Sequence, residues 1–282
     1  MSALAVLLPR QPAAVGSEWG AARMPSALRS RKTIAALAIL GAVWTAAAWA
    51  AAPVDRPSVL ALAVKWAPLI FGGFLFNLLV SVAAMALGTA AGVLLGLAQI
   101  SLLRPVQAAS WAVTQFFRNA PWLVLLFFAM FLLPFEWRIG GVTVPFPAWL
   151  KAMLGLALPV LANVSEIVRG GVLSIPLGQW ESAESLAFSR RQILWRIILP
   201  QAVKRMIPPW MNLYAILTMA TTLISVVGIQ DAMTLTRGAL VAEARTDLYL
   251  PLYFMLLLMF FAYCYPIARY TQVLERRFAV RG

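Results

Sequence analysis

The sequence has no histidine, and Cys264 is the single cysteine in 282 residues. Without histidine there is no Ser–His dyad, no His-ligated zinc and no imidazole general base. One cysteine excludes an intrachain disulfide, and its place in an apolar run marks it as a packing residue. Acidic side chains are scarce, ten Asp and Glu against 23 Lys and Arg, and charged residues make up only 12% of the chain. A soluble domain carries about 25%. No Gly-x-x-x-x-Gly-Lys-Ser/Thr stretch occurs, so nothing here would cradle nucleotide phosphates as a P-loop does. The chain is therefore not expected to be an enzyme, and no catalytic, cofactor or metal residues are assigned to it.

What the chain has in quantity is apolar surface: 62% of residues are hydrophobic. That balance belongs to an all-α integral membrane protein. A net charge of +13 would suit nucleic acid. The basic residues, however, sit between long apolar runs rather than on a soluble face, so the expected partner is the lipid bilayer and not a polynucleotide.

Six runs approach the roughly 20 residues a span needs: 34–52, 74–100, 116–133, 149–172, 210–227 and 250–267. Residues 1–32 lack periodicity and read as a disordered cytoplasmic tail. The 34–52 run ends in Ala48-Trp49-Ala50, similar to a signal-peptidase site, but the long basic tail before it favours an uncleaved span. The connector 53–68, with Pro53, Pro57 and Pro68, the stretch 134–147 and the stretch 228–249 are expected outside. A short loop, 101–110, the polar interval 174–208 and a tail 273–282 are expected inside. With both termini cytoplasmic, the outer side holds only Arg56, Lys65, Arg138, Lys151, Arg237 and Arg245. The other 17 basic residues lie inside, the asymmetry of a multi-pass inner-membrane protein.

Within the spans, Gly88, Gly92 and Gly96 recur every four residues on one helix face, which permits close helix approach. Either a second subunit or another span of the same chain would meet that face. Arg118, Glu166 and Arg169 are ionisable residues toward the inner half, where a charge is costly unless it faces protein or water. Glu166 and Arg169 suit an i,i+3 ion pair or a transport path. Arg118 suits snorkelling or the same path. Asn119, Asn163, Thr221, Thr222 and Ser225 offer hydrogen bonds for a path or for interhelical packing.

The long polar interval reads as two short helices. The first begins near Gly178, with Glu181 in its first turn, where the helix dipole favours a carboxylate. The second has Ser189 as N-cap and Gln192 three residues on, a capping box. Its Ile193, Leu194, Ile197 and Ile198 share a face, and Pro200 is expected to end it. Such a pair would sit in another protein's groove, with Trp180, Ala183 and Leu186 as the expected contacts.

The segment Glu181-Ser182-Ala183, then Ala187, then Ile197-Ile198-Leu199-Pro200 resembles the cytoplasmic coupling loop, the EAA motif, of ABC-importer permeases. Glu166-Ile167-Val168-Arg169-Gly170-Gly171 and Ser174-Ile175-Pro176-Leu177-Gly178-Gln179-Trp180-Glu181 are similar to the polar-amino-acid branch. So are Phe117-Arg118-Asn119-Ala120-Pro121, Thr221-Thr222-Leu223-Ile224-Ser225-Val226-Val227-Gly228 and the ending Leu274-Glu275-Arg276-Arg277-Phe278. Two departures stand out. Ala187 occupies the family's glycine position, so either the turn differs or it carries strain of roughly 1 kcal/mol. Met219-Ala220 replaces a charged-polar pair, which leaves the solute open.

The resemblance implies a type I importer permease core of five spans, residues 65–272, preceded by one extra span and connector, 33–64. It implies two permease chains, identical or homologous, and a separate ABC ATPase that binds ATP and Mg. It also implies an external amino-acid-binding protein. Gly178, Trp180, Glu181, Ala183, Leu186, Ala187, Ser189, Leu199 and Pro200 would meet or shape the contact with the ATPase. Arg118, Asn119, Asn163, Glu166, Arg169, Thr221, Thr222 and Ser225 would line or support the path. The rival is an ion-coupled secondary transporter acting alone, whose usual internal repeats and mid-depth acids are not found.

Overall fold

The computed structural model describes residues 41–42, 57–139 and 141–278. The tail 1–32 and all but two residues of the expected first span lie outside the described residues. The chain divides into units 1–60 and 61–282. Apart from the first two residues of α1, every element below belongs to the second.

Helix α1, Val59–Gln99, is 41 residues long, where a span of 74–100 was expected after a connector. At 1.5 Å per residue it measures about 60 Å, twice the hydrocarbon core. Lys65 and Pro68 suggested a boundary, yet the residues around them remain apolar helix formers. One proline removes a single backbone bond when the rest of the turn holds.

The expected third span, 116–133, is two helices. Helix α2, Arg104–Asn119, begins inside the expected short loop, with proline in its first turn, where a missing N–H is harmless. Helix α3 is Trp122–Leu132, and the pair bends by 104°. Pro121 supplies the break: it holds Ala120 in an extended conformation (φ −76°, ψ 138°), as a residue before proline prefers.

The expected loop 134–147 contains a β-hairpin, β1 Glu136–Ile139 antiparallel to β2 Val142–Pro145. Gly141 takes φ +85° in its two-residue turn, a sign that glycine accommodates freely. Helix α4, Ala148–Leu173, matches expectation to within a residue at each end and is the most buried candidate span.

Helix α5 is Leu177–Ser185. A short α6, Arg190–Gln192, runs through a π-helical turn, Ile193–Ile198, into α7, Leu199–Ala220, and a 3-10 turn, Thr221–Val227. Pro200 therefore does not end the helix, and the fifth span does not begin at Trp210. The wide π turn places the Leu199 N–H on the Leu194 carbonyl. Pro200 then falls in the first turn of α7, where no donor is required of it. Pro208 and Pro209 also lie within α7.

The expected loop 228–249 contains α8, Ala232–Glu243, capped by the Asp231 carboxylate on the Thr234 N–H at 2.8 Å. After a 3-10 turn, Thr246–Leu248, helix α9 spans Tyr249–Phe278, beyond the expected 250–267 and into the expected tail. Among the described residues the fold is thus all-α apart from one hairpin. Among the described residues, four helices are long and apolar enough to cross a membrane, five if α2–α3 is one broken span.

α4 is the hub of the fold. The glycine stripe of α1 packs on it in step: a Cβ at Gly88, Gly92 or Gly96 would meet Val160, Val164 or Val168 at 2.5–2.7 Å. The numbering rises together, so α1 and α4 run parallel, and the stripe serves packing within the chain. Leu126, Leu156, Val160, Leu217 and Ile224 fill the surrounding core.

Candidate functional site

On α4, Asn163, Glu166, Ile167, Gly170 and Gly171 follow a helical three-to-four spacing and so share a face. That face lines a groove of about 690 Å³, opposite Arg118 at the end of α2 and Pro209 and Asn212 on α7. Arg205 and Glu275 stand along the same groove.

Glu166 is its electrostatic centre. Its carboxylate accepts from Arg169 Nη2 at 2.7 Å and Nε at 3.3 Å, and Arg118 Nη1 lies 3.8 Å away. The i,i+3 pair expected from spacing is present, joined by a second cation. One carboxylate between two guanidinium groups leaves a net positive charge. The groove offers the Arg118 and Arg205 guanidinium groups to an anion and the Glu166 and Glu275 carboxylates to an ammonium group.

The other path candidates are placed differently. Asn119 is exposed and donates back to the Gln115 carbonyl at 2.7 Å, closing α2 before the break. Thr221, Thr222 and Ser225 donate to the carbonyls three residues earlier, Thr218, Met219 and Thr222, at 2.7, 2.9 and 2.8 Å. These three hydroxyls stabilise the 3-10 turn, and none lines the groove.

The α5–α6 element has its own small core of Val172, Ile175, Ala183, Ile193, Ile198 and Ala202. Its turn is built on Ala187 at φ +58°, so the strained alternative is the one adopted. The Ala187 N–H bonds the Glu184 carbonyl at 2.9 Å and the Phe188 N–H bonds that of Ala183 at 3.2 Å. That is a Schellman closure, with Phe188 and Ala183 in the accompanying apolar contact. Ser189 forms the expected capping box with Gln192.

Two expectations need correcting here. Glu181 lies in the second turn of α5, too far from the N-terminus for the dipole to act strongly on it. Ala183 is buried in the chain's own core, so its methyl is not on the surface that a partner would meet. Leu186 is 72% exposed and Leu177 52%, and Gly178, Glu181, Ala187, Ser189 and Pro200 are exposed too. Trp180 is half-buried, its ring 5.9 Å from the Arg190 guanidinium, and Leu199 is also half-buried.

Several buried polar groups escaped the sequence analysis. Lys151, counted there as a charge on the outer side, is fully buried. Its ammonium donates to the Leu133 carbonyl at 2.8 Å and lies 3.3 Å from the centre of the Phe135 ring. Asn77 joins three elements, donating to Thr221 at 3.1 Å and to Asp231 at 3.3 Å and accepting from the Ala232 N–H at 3.1 Å. For Asn77 the available signal was a lone polar residue in an apolar run; for Lys151 no pattern separates burial from snorkelling. Among the described residues no group of three or more His, Cys, Asp or Glu could hold a metal.

The family model for the "binding-protein-dependent transport system inner membrane component" matches residues 88–280. The chain is 31% identical over 208 residues to the inner membrane amino-acid ABC transporter permease protein YhdY of Escherichia coli, covering 74% of this chain and 56% of that relative. It is 30% identical to the probable amino-acid ABC transporter permease protein YckA of Bacillus subtilis, covering 77% and 92%. Over 79% of this chain and 99% of the other, its fold is similar to that of an amino acid ABC transporter crystallised with histidines, at a TM-score of 0.69 and 24% identity. The MetNI methionine ABC transporter in an inward-facing conformation shares the fold at a TM-score of 0.55 and 17% identity.

Proposed function

This chain belongs to the family of binding-protein-dependent transport system inner membrane components, and from that premise we propose that it is the transmembrane subunit of an ATP-driven importer of polar amino acids. The observation that carries the solute class is the Arg118–Glu166 pair on the groove, with Arg169 bonded to Glu166 from outside the lining. A zwitterionic amino acid presents a carboxylate and an ammonium a few ångströms apart. A cavity with a cation and an anion 3.8 Å apart offers both partners, and the second guanidinium keeps the site positive when Glu166 is engaged. The amino-acid ABC permeases among its relatives support the same class.

In this reading the chain pairs with a second permease, identical or homologous, and an external binding protein delivers the solute. A separate ATPase, carrying ATP and Mg, docks on α5 through the exposed Leu177 and Leu186. In this reading α5 and both termini face the cytoplasm, which the charge asymmetry of the loops supports. Closure of the ATPases would push α5. Its small core is continuous with α7 through the π turn and with α4 through Val172, so the push reaches both walls of the groove.

The test is uptake of radiolabelled amino acids into proteoliposomes holding the permease, its ATPase and its binding protein. ATP on the α5 side should drive accumulation, and a proton or sodium gradient without ATP should not. Uptake on an ion gradient by the permease alone would overturn the proposal in favour of a secondary transporter.

A further inference from the structure

Two apolar cores follow one another along α4 and α7. The first takes Val160, Val164 and Val168 of α4 with Leu213 and Leu217 of α7. The second, inside the α5–α6 element, takes Val172 of α4 and Ala202 of α7. Each helix therefore leaves one core and enters the other within a short interval, 169–171 in α4 and 203–212 in α7.

Both intervals hold residues that weaken a helix. Gly170 and Gly171 lie in the first, Pro208 and Pro209 in the second. Glycine has no side chain to restrict its backbone. Two consecutive prolines have no N–H to give, so the carbonyls of Lys204 and Arg205 lose their usual donors four residues on. All four residues line the groove, so the two weak points face one cavity. The contact between the helices there is an adaptable one. A Cβ on Gly171 would meet Met206 at 2.6 Å, and Met206 packs against both cores. An unbranched thioether repacks more readily than a branched side chain. On the α5 side of that contact, the Arg205 guanidinium donates to the Ser174 carbonyl and ties the beginning of α7 to the end of α4.

We propose that Gly170–Gly171 and Pro208–Pro209 form a paired hinge, about which the α5–α6 element and the attached ends of α4 and α7 tilt as one body against the first core. The proposal rests on the reading of α5 as the element an ATPase drives. The groove crosses the hinge, with Asn163, Glu166 and Asn212 on one side and Ser174 and Arg205 on the other. Tilting changes the width of the groove at Ser174 and Arg205 and leaves the Arg118–Glu166 pair as it is, the behaviour of a hinge confined to a few residues.

Distances between paired spin labels test this, in the assembled transporter with Cys264→Ser and with cysteine-attached labels confined to one permease. Ser182 of α5 and Met219 near the far end of α7 are exposed and flank the hinge, whereas Ser182 and the exposed Val203 lie on the same side of it. ATP with vanadate should move the first pair by more than about 2 Å and leave the second fixed. Gly170→Ala meets nothing within 4 Å, so it stiffens α4 without a clash. It should raise the melting temperature and lower the maximal rate of binding-protein-dependent uptake about fivefold, the fold-change of one glycine-to-alanine helix propensity. Gly72→Ala, equally unobstructed in α1, should stabilise without slowing uptake. The hinge is overturned, and the transport reading left standing, by a fixed first pair where ATP hydrolysis still responds to the binding protein. Movement of the second pair, or uptake by Gly170→Ala no slower than by Gly72→Ala, overturns it equally. Recovery of the permease without any ATPase would overturn the reading of α5 and the hinge with it.

Discussion

Ala187 sits at φ +58°, where a Cβ meets the neighbouring carbonyl and costs roughly 1–2 kcal/mol. The Schellman bonds and the Phe188–Ala183 contact offset that cost, since the turn forms regardless. Ala187→Gly should therefore stabilise the protein by about 1 kcal/mol, visible as a raised melting temperature in detergent. No gain would mean the strain is relaxed elsewhere. Lys151 is a different case, a buried ammonium held by two carbonyls and an aromatic face. Lys151→Met keeps the packing but leaves those carbonyls unmet, so a loss of about 1–3 kcal/mol is expected in the same melt. The position of Ala187 in a motif was legible in the sequence. The burial of Lys151 was not, because a lysine early in a span is indistinguishable by pattern from one that snorkels to the headgroups.

Helices were legible as apolar runs, but their ends were not. Prolines at 68, 121, 200, 208 and 209 look alike in sequence, and only Pro121 terminates a helix. The others lie within helices, one of them beside a π turn that no propensity announces. The glycine stripe of α1 was visible, and its partner, α4, was one of two openings that only packing could decide. Gly92→Ala would bring a Cβ to 2.6 Å from Val164 and 2.7 Å from the Leu161 carbonyl. A cost of about 1–3 kcal/mol is expected, against none for Gly72→Ala, which meets nothing within 4 Å. Thermal unfolding of the two variants compares them directly. At the far end of α1, Lys65 at 2.7 Å and Trp66 at 2.9 Å hydrogen-bond Glu243 of α8 and hold its carboxyl below the ordinary range. A lowered folded pKa means the tie is fully present above the unfolded Glu value and is lost as pH falls through the folded one. Melting temperature should fall more steeply with acid in wild type than in Glu243→Gln, and parallel curves would show the tie to be inconsequential.

At the scale of the whole molecule, the groove and the α5 element are separate structures joined by α4 and α7. The charged triad centred on Glu166 was readable residue by residue, though spacing gave only the Glu166–Arg169 pair, and Arg118 reaches it through the fold of α2. Which residues of α5 and its cap face outward was not legible in the sequence, because Ala183 and Leu186 are both apolar and only three residues apart. The fold resolves this: Ala183 belongs to the inner core, and Leu186 projects at the turn. The proposed coupling to a separate ATPase therefore rests on Leu186, and a charge there leaves the chain's own packing untouched. Tagged permease carrying Leu186→Asp, co-expressed with its ATPase, should insert and melt like wild type yet retain less than about a tenth of the ATPase on purification, an exposed apolar anchor being worth 1.4 kcal/mol or more. Undiminished ATPase recovery with Leu186→Asp, together with undiminished ATP-driven uptake, would contradict the account.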